Sequence, residues 1–307
     1  MFHKLNDKMR RFLFALSTRS VLVSPPMRLD AQSDLVILSM VQHKDVPLYL
    51  LAIKSFARYL PPGRCCVIDD GSLTEHDKAV LRRHVRGVEI TPLDRYRSPA
   101  CPAGGTWERL LAIAELVQDH YLIQLDADTL TVGPIDEVAA CVADGAAFAL
   151  GTWDRQDLET MAFRSAEARP RLQAGGSHVQ LHAEAHLEDL NGAGAMKYVR
   201  GCSGFAGFPK GSFNRAFIED VSTQMTAAIG SKWHEWGSEQ VMSNIVLANI
   251  PGARVLPHPK YGNCQKMTAQ TAFVHFIGPC RFTNGRYAEL GRHVVRELSL
   301  RPGGSAA

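Results

Sequence analysis

Tyr121-Leu122-Ile123-Gln124-Leu125-Asp126-Ala127-Asp128-Thr129-Leu130 is the stretch on which the rest of the chain turns. A short apolar run flanked by polar and turn-forming residues predicts a buried strand with two carboxylates at its C-terminal end. In open α/β sheets, that end is where ligands bind. Period-2 geometry turns Asp126 and Asp128 to the same side, so two hard anionic oxygens could share one divalent cation or divide between a cation and a hydroxyl. The plainer alternative is a strand that simply runs into an Asp-rich turn.

Upstream, the same kind of run recurs. Residues 34–40 predict a first strand, and residues 47–60 a helix closed by Pro61-Pro62-Gly63, with Pro47 in the first turn where its missing N–H is not needed. Gln42 falls on the loop between them. Residues 65–68 predict a second strand ending in Asp69-Asp70-Gly71-Ser72. Ser72 and Glu75 fit a capping box for a helix from about Leu73 to His84. Asp69 and Asp70 are then either turn residues feeding that helix or acceptors for a nucleobase or ribose at a strand end. A third strand at 87–90, a Gly104-Gly105-Thr106 loop and a helix over 107–117 complete a β-α-β-α-β-α-β alternation. That order predicts a mainly parallel sheet with right-handed crossovers.

Downstream, a helix is expected over 135–144 and a strand over 146–152, followed by an irregular, mobile excursion over 153–176. His178, Gln180, His182, Glu184, His186 and Glu188 alternate with Val179, Leu181, Ala183, Ala185 and Leu187. That period predicts a strand with one wet face, although the histidine spacing also suits one face of a helix and a metal cluster. Asn191-Gly192 would turn it into a returning strand over 196–208. Gly201, Ser203, Gly204 and Gly207 lack bulk there, which suits either close approach of a sugar ring or a bulged strand. Residues 233–244 join two tryptophans to acids and amides at a loop-to-helix junction, with Ser238 as a candidate cap. Aromatic faces and hydrogen-bonding groups suit a sugar, but the aromatics could equally pack and Glu239 could serve the helix dipole. A late strand over 271–279 carries the lone His275, and a closing helix is expected over 286–299.

The composition is that of a soluble globular protein: 46% of the 307 residues are hydrophobic and 21% charged, and a net charge of +3 is too small to argue for nucleic acid. Seven cysteines without paired spacing predict reduced thiols and a cytoplasmic protein. Residues 1–28 stand apart, with Lys4, Lys8, Arg10, Arg11, Arg19 and Arg28 against Asp7. Phe2, Leu5, Met9, Phe12, Leu13 and Leu16 could line an apolar stripe beside these charges. The apolar core Phe12-Leu13-Phe14-Ala15-Leu16 is too short for a signal peptide or a bilayer span, which leaves a basic amphipathic helix at an anionic membrane surface or a frayed terminus.

Taken in order, Asp69-Asp70-Gly71-Ser72, Asp126-Ala127-Asp128, the Gly/Ser-rich strand, Trp236-Gly237-Ser238-Glu239-Gln240 and His275 resemble the GT-A superfamily of nucleotide-sugar glycosyltransferases. Glycogenin-like and bacterial galactosyltransferase-like members are the nearest in pattern, and the likeness covers residues 34–290. It implies an α/β, Rossmann-like, mainly parallel sheet with helices on both faces and a smaller mixed β region on the acceptor side. The corresponding division is a basic extension at 1–33, a nucleotide-sugar half at 34–152, an acceptor half at 153–296 and a tail at 297–307. The resemblance further implies that Asp126, Asp128 and His275 hold Mn²⁺ or Mg²⁺ against a donor diphosphate. Gln42, Asp69 and Asp70 would meet the nucleotide, Ser203, Gly204 and Trp236 the acceptor, and Glu239 and Gln240 the reacting centre. A UDP-sugar donor and a glycan or other hydroxyl acceptor are the implied partners, in polysaccharide biosynthesis at the inner face of a membrane. Glu239-Gln240 is more similar to the Asp-Gln pair of retaining members than to the pair of inverting ones, and no general base is assigned.

The chemistry agrees with that pattern. A cation stabilises the charge that develops on a diphosphate leaving group without proton transfer, and a mixed carboxylate and imidazole shell suits Mn²⁺. Three rivals remain. A haloacid-dehalogenase-like phosphatase has a D-x-D-x-T nucleophile motif, but Thr129 stands one place too early and the motif falls late in the chain. A sugar nucleotidylyltransferase would need a Gly-rich, basic loop after the first strand. A non-catalytic carbohydrate-binding module of the same fold would keep the binding residues alone.

Overall fold

The computed structural model describes residues 9, 10, 12, 14–282 and 285–300. Lys4, Lys8 and Arg11 of the basic extension, with Phe2, Leu5 and Leu13 of its apolar stripe, lie outside them, as does the tail from Arg301. The main sheet has seven strands in the order β10 (Arg254–Val255), β6 (Phe148–Gly151), β9 (Gly201–Phe208), β4 (Tyr121–Leu125), β1 (Leu35–Val41), β2 (Arg64–Asp69) and β3 (Glu89–Pro92). β1 runs parallel to β2 from Val36 opposite Arg64 to Val41 opposite Asp69, and β2 runs parallel to β3. β6 is parallel to β10 and antiparallel to β9. All but one residue of β1 and all of β4 are buried, as expected of strands covered on both faces.

The chain forms two compact units. One runs through Pro92, resumes over Leu125–Asp136 and continues from Pro259 onward. It contains β1 to β3 and a second, three-stranded sheet in which β12 (Phe273–His275) lies between β11 (Tyr261–Asn263), parallel to it, and β5 (Thr129–Thr131), antiparallel to it. Helix Val46–Ala57 carries apolar residues nearly all round and is buried from Leu48 to Phe56, so burial rather than a single stripe fixes it. Its one cation, Lys54, donates to Ser24 Oγ and Pro25 O, both at 2.7 Å, and pairs with His84 Nδ1 at 2.9 Å.

The other unit spans Leu93–Gln124 and Glu137–His258. Helices Trp107–Leu116 and Ser238–Ala248 form its core, and Trp107 packs edge-on against Trp233 at 5.6 Å. Helices Met161–Gln173, Val179–Ala185 and Arg215–Ile229 surround them, with a hairpin of β7 (Leu158–Thr160) and β8 (Lys197–Val199).

Several local expectations need correction. The alternating segment is a helix, Val179–Ala185, with His178 as its cap accepting from Gln180 N, and its buried Val179 and Ala183 continue at a spacing of four to Leu187 in the 3₁₀ turn that follows. Val179 is its only β-branched residue and the rest favour a helix, so propensity and a helical stripe outweigh the two-residue alternation. The partner of β8 is therefore β7, not residues 178–188. The supposed irregular excursion contains β7 and a 13-residue helix whose cap, Thr160, accepts from Phe163 N. The helix expected from Leu73 starts at Glu75, because Thr74 and Asp77 form the capping box in place of Ser72 and Glu75. The cap position before Ser238 is Gly237, held at φ 105°. Finally, Cys264 and Cys280 are joined in a disulfide, so thiols reduced throughout do not hold at that pair.

Candidate functional site

β4 stops at Leu125, and Asp126 to Asp128 form a turn in which Thr129 N and Oγ1 both donate to Asp126 O, at 3.2 and 2.8 Å. The two carboxylates are thus brought together by a turn rather than by the period of a strand. Antiparallel pairing of β5 with β12 sets His275 opposite Thr129, and Phe276 N donates to Asp128 O at 2.9 Å. His275 Nε2 consequently lies 3.0 Å from Asp128 Oδ1 and 3.7 Å from Asp126 Oδ2. One donor atom from each of Asp126, Asp128 and His275 falls within 4.8 Å of the others, among the described residues the one such group of three or more. Two carboxylate oxygens and one imidazole nitrogen at that spacing fit a single divalent cation with positions left over for a ligand.

The same side chains carry their own electrostatics. Burial alone would raise the Asp128 carboxyl, but His275 and the Arg281 guanidinium more than offset it and hold the group below the usual carboxylate range. Arg281 Nη2 is 2.8 Å from Asp128 Oδ2, and its Nε donates to Phe276 O at 3.2 Å. Asp45 is shifted the other way, raised by burial against the pull of Arg281. Phe276, whose carbonyl accepts from Arg281, stacks on Tyr287 at 4.0 Å. Beside Arg281 opens a groove of about 930 Å³ whose polar lining includes His43, Lys44, Asp45, His76 and Asp77, with Phe14, Pro47 and Phe282 among its apolar walls.

Two expected nucleotide contacts are already engaged. Asp69 Oδ1 accepts from Gly71 N and Leu73 N while its Oδ2 faces Lys78 Nζ at 3.1 Å, and Asp70 accepts from Ser72 N and Oγ. Both are used as turn residues. Gln42 caps a short 3₁₀ turn through its backbone carbonyl, which accepts from Asp45 N, and its side chain is half-buried.

In the second unit, Glu239 is 2% exposed and accepts from Thr106 Oγ1 at 2.9 Å, Ser203 Oγ at 3.1 Å and Arg109 Nη2 at 3.2 Å. A carboxylate held by a buried guanidinium and two hydroxyls is well placed to orient its neighbours and poorly placed to collect a proton. Gln240 is half-buried, and its Oε1 accepts from Ser203 N at 3.4 Å. Gly204 is buried in β9, and Trp236 is 76% exposed. Thr106, among the described residues the one non-glycine at positive φ (75°), stands at the head of helix Trp107–Leu116. A β-branched residue rarely accepts that conformation, and strain of this kind concentrates at functional positions. Two glycines of β9, Gly201 and Gly207, have a packing explanation: a Cβ at Gly201 would stand 2.9 Å from Leu150 O, and one at Gly207 2.2 Å from the Phe148 ring, next to a register shift in β6.

Sequence reasoning missed Arg109, Arg281, Asp45 and Thr106. A charge within the apolar run Trp107-Glu108-Arg109-Leu110-Leu111 was the available signal for Arg109, since a cation inside a buried helix needs a partner.

No protein-family model and no curated protein matches the chain. Among solved structures it is similar to the mannosyltransferase Ktr4p from S. cerevisiae, at 13% identity and a TM-score of 0.43 over 97% of this chain and 92% of that one. It is also similar to the galactosyltransferase LgtC in complex with donor and acceptor sugar analogues, at 11% and 0.44 over 86% and 96%. A third is core-mannan synthase A from Aspergillus fumigatus in its Mn/GDP form, at 12% and 0.45 over 86% and 88%. Likeness at this level carries no activity across, and function has to come from the side chains.

Proposed function

We propose that the chain is a metal-dependent GT-A glycosyltransferase that moves a sugar from a nucleotide-diphosphate donor, a UDP-sugar in the first instance, to a hydroxyl acceptor. The observation that carries this is the grouping of Asp126, Asp128 and His275 with donor atoms within 4.8 Å. Mn²⁺ suits that mixed shell better than Mg²⁺. When bound, the cation would take up the charge that develops on a diphosphate leaving group. Arg281, paired with Asp128, supplies a second positive charge for the same phosphates. The groove bordered by His43, Lys44 and Asp45 would receive the nucleoside, whose flat base suits its apolar walls.

Glu239 and Gln240 are our proposed catalytic pair, with Glu239 holding Arg109, Ser203 and Thr106 in position and Gln240 offered to a sugar hydroxyl. Ser203, Gly204 and Trp236 remain our acceptor contacts. With Glu239 engaged by a guanidinium, transfer with retention fits better than base-assisted inversion. The test is a panel of UDP- and GDP-sugars with Mn²⁺ or EDTA. Metal-dependent release of nucleoside diphosphate, abolished in Asp128→Asn, supports transfer. Release of inorganic phosphate would indicate a phosphatase, and binding without turnover a carbohydrate-binding module.

A further inference from the structure

The N-terminal helical segment uses only one of its faces. Phe14, 7% exposed, packs against Phe282 at 5.3 Å and Tyr287 at 5.0 Å, and Thr18 and Val21 are buried behind it. Met9, Phe12 and Leu16 recur at intervals of three and four, share the opposite face, and are 55%, 61% and 47% exposed, with Val23 following at 85%. Arg10 and Arg19 are exposed in the same segment, and Arg19 also lines the groove beside Arg281. Residues 1–28 carry six cations against one anion in a chain whose total is +3, so the remainder is net acidic and the positive charge gathers next to this apolar face.

We propose that this face docks on an anionic phospholipid bilayer, lying in its interface with Met9, Phe12 and Leu16 below the headgroups and the arginines among them. A groove on another protein would explain the apolar residues, and a polyanion the arginines. An exposed apolar face within a strongly basic segment matches a surface that is apolar inside and negative outside. Among the described residues no helix is long and apolar enough to cross a membrane, so the contact is peripheral. The proposal stands apart from the transfer reaction and does not depend on it.

The test is co-sedimentation of the full chain with vesicles of phosphatidylcholine alone or mixed with phosphatidylglycerol, over a salt series. Binding is expected to the mixed vesicles, to weaken with salt, and to be marginal on phosphatidylcholine. Phe12→Ser with Leu16→Ser should lower the partition coefficient at least about tenfold by removing apolar burial. Arg10→Glu with Arg19→Glu should do the same through charge. All four residues are solvent-exposed, and matching thermal melts would confirm that the variants fold. Equal partition onto both vesicle types, or undiminished binding by the serine variant, would overturn the proposal. So would a dimer that the serine variant dissociates, found in a chain that ignores vesicles.

Discussion

Replacing Arg109 by Met tests whether the buried cluster around Glu239 is held by its ion pair. Arg109 and Glu239 are 3% and 2% exposed, and the guanidinium meets both carboxylate oxygens at 3.2 to 3.3 Å. Removing one member of such a pair leaves the other charge buried, at a cost of roughly 3–5 kcal/mol. The contacts are longer than an ideal charge-assisted bond, and Thr106 and Ser203 still donate to the carboxylate, so the lower end, about 3 kcal/mol, is expected. Glu239→Gln keeps the shape and removes the charge. The double variant should therefore recover about 2 kcal/mol of the loss, a coupling typical of residues in direct contact. Urea unfolding followed by circular dichroism at neutral pH would measure all four proteins. If Arg109→Met costs under about 1 kcal/mol, or if the double variant is no more stable than Arg109→Met, the pair does not organise the site.

Two further predictions concern strain and pH. Thr106→Ala and Thr106→Gly both remove the hydroxyl that donates to Glu239, but only glycine relieves φ 75°. The glycine variant should be the more stable by about 1 kcal/mol, and the reverse order would show that the backbone there is unstrained. Burial and the adjacent Lys54 push His84 down to about 4, below its unfolded value. The unfolded chain then binds the extra proton first, so the contribution of His84 is fully present above about pH 6.5 and is lost as pH falls through about 4. The shift sets a ceiling of about 3 kcal/mol, which solvent screening reduces to about 1–2. Comparing urea midpoints of the wild type and His84→Gln between pH 7 and pH 4 should show the wild type losing more, and parallel profiles would refute it.

The first half of the fold was legible because parallel strands buried on both faces leave apolar runs, and because Pro61-Pro62-Gly63 and the glycines at 104 and 105 punctuate them. The pairing of Asp126 with Asp128 was legible, and the order of the motifs implied His275 beside them, but the structure groups them for a different local reason: a turn and the pairing of β5 with β12, not a strand's period. Residues 178–188 misled because alternation and a four-residue stripe coexist there, and helix propensity together with the burial of Val179, Ala183 and Leu187 decides between them. Arg281 and Asp45 carry no local signal, since their relation to Asp128 comes from chain segments far apart in sequence. The Cys264–Cys280 bond was hidden among seven cysteines with no paired spacing.

The cation site itself is open to direct measurement, without knowledge of the sugar or the acceptor. Titrating Mn²⁺ into the protein while following the electron paramagnetic resonance signal of the free ion counts sites and gives their affinity. One site per chain is expected, strengthened by UDP and weakened at least about tenfold in each of Asp126→Asn, Asp128→Asn and His275→Ala. Mn²⁺ binding that is absent from the wild type, or unchanged in all three variants, would contradict a shared cation at these side chains.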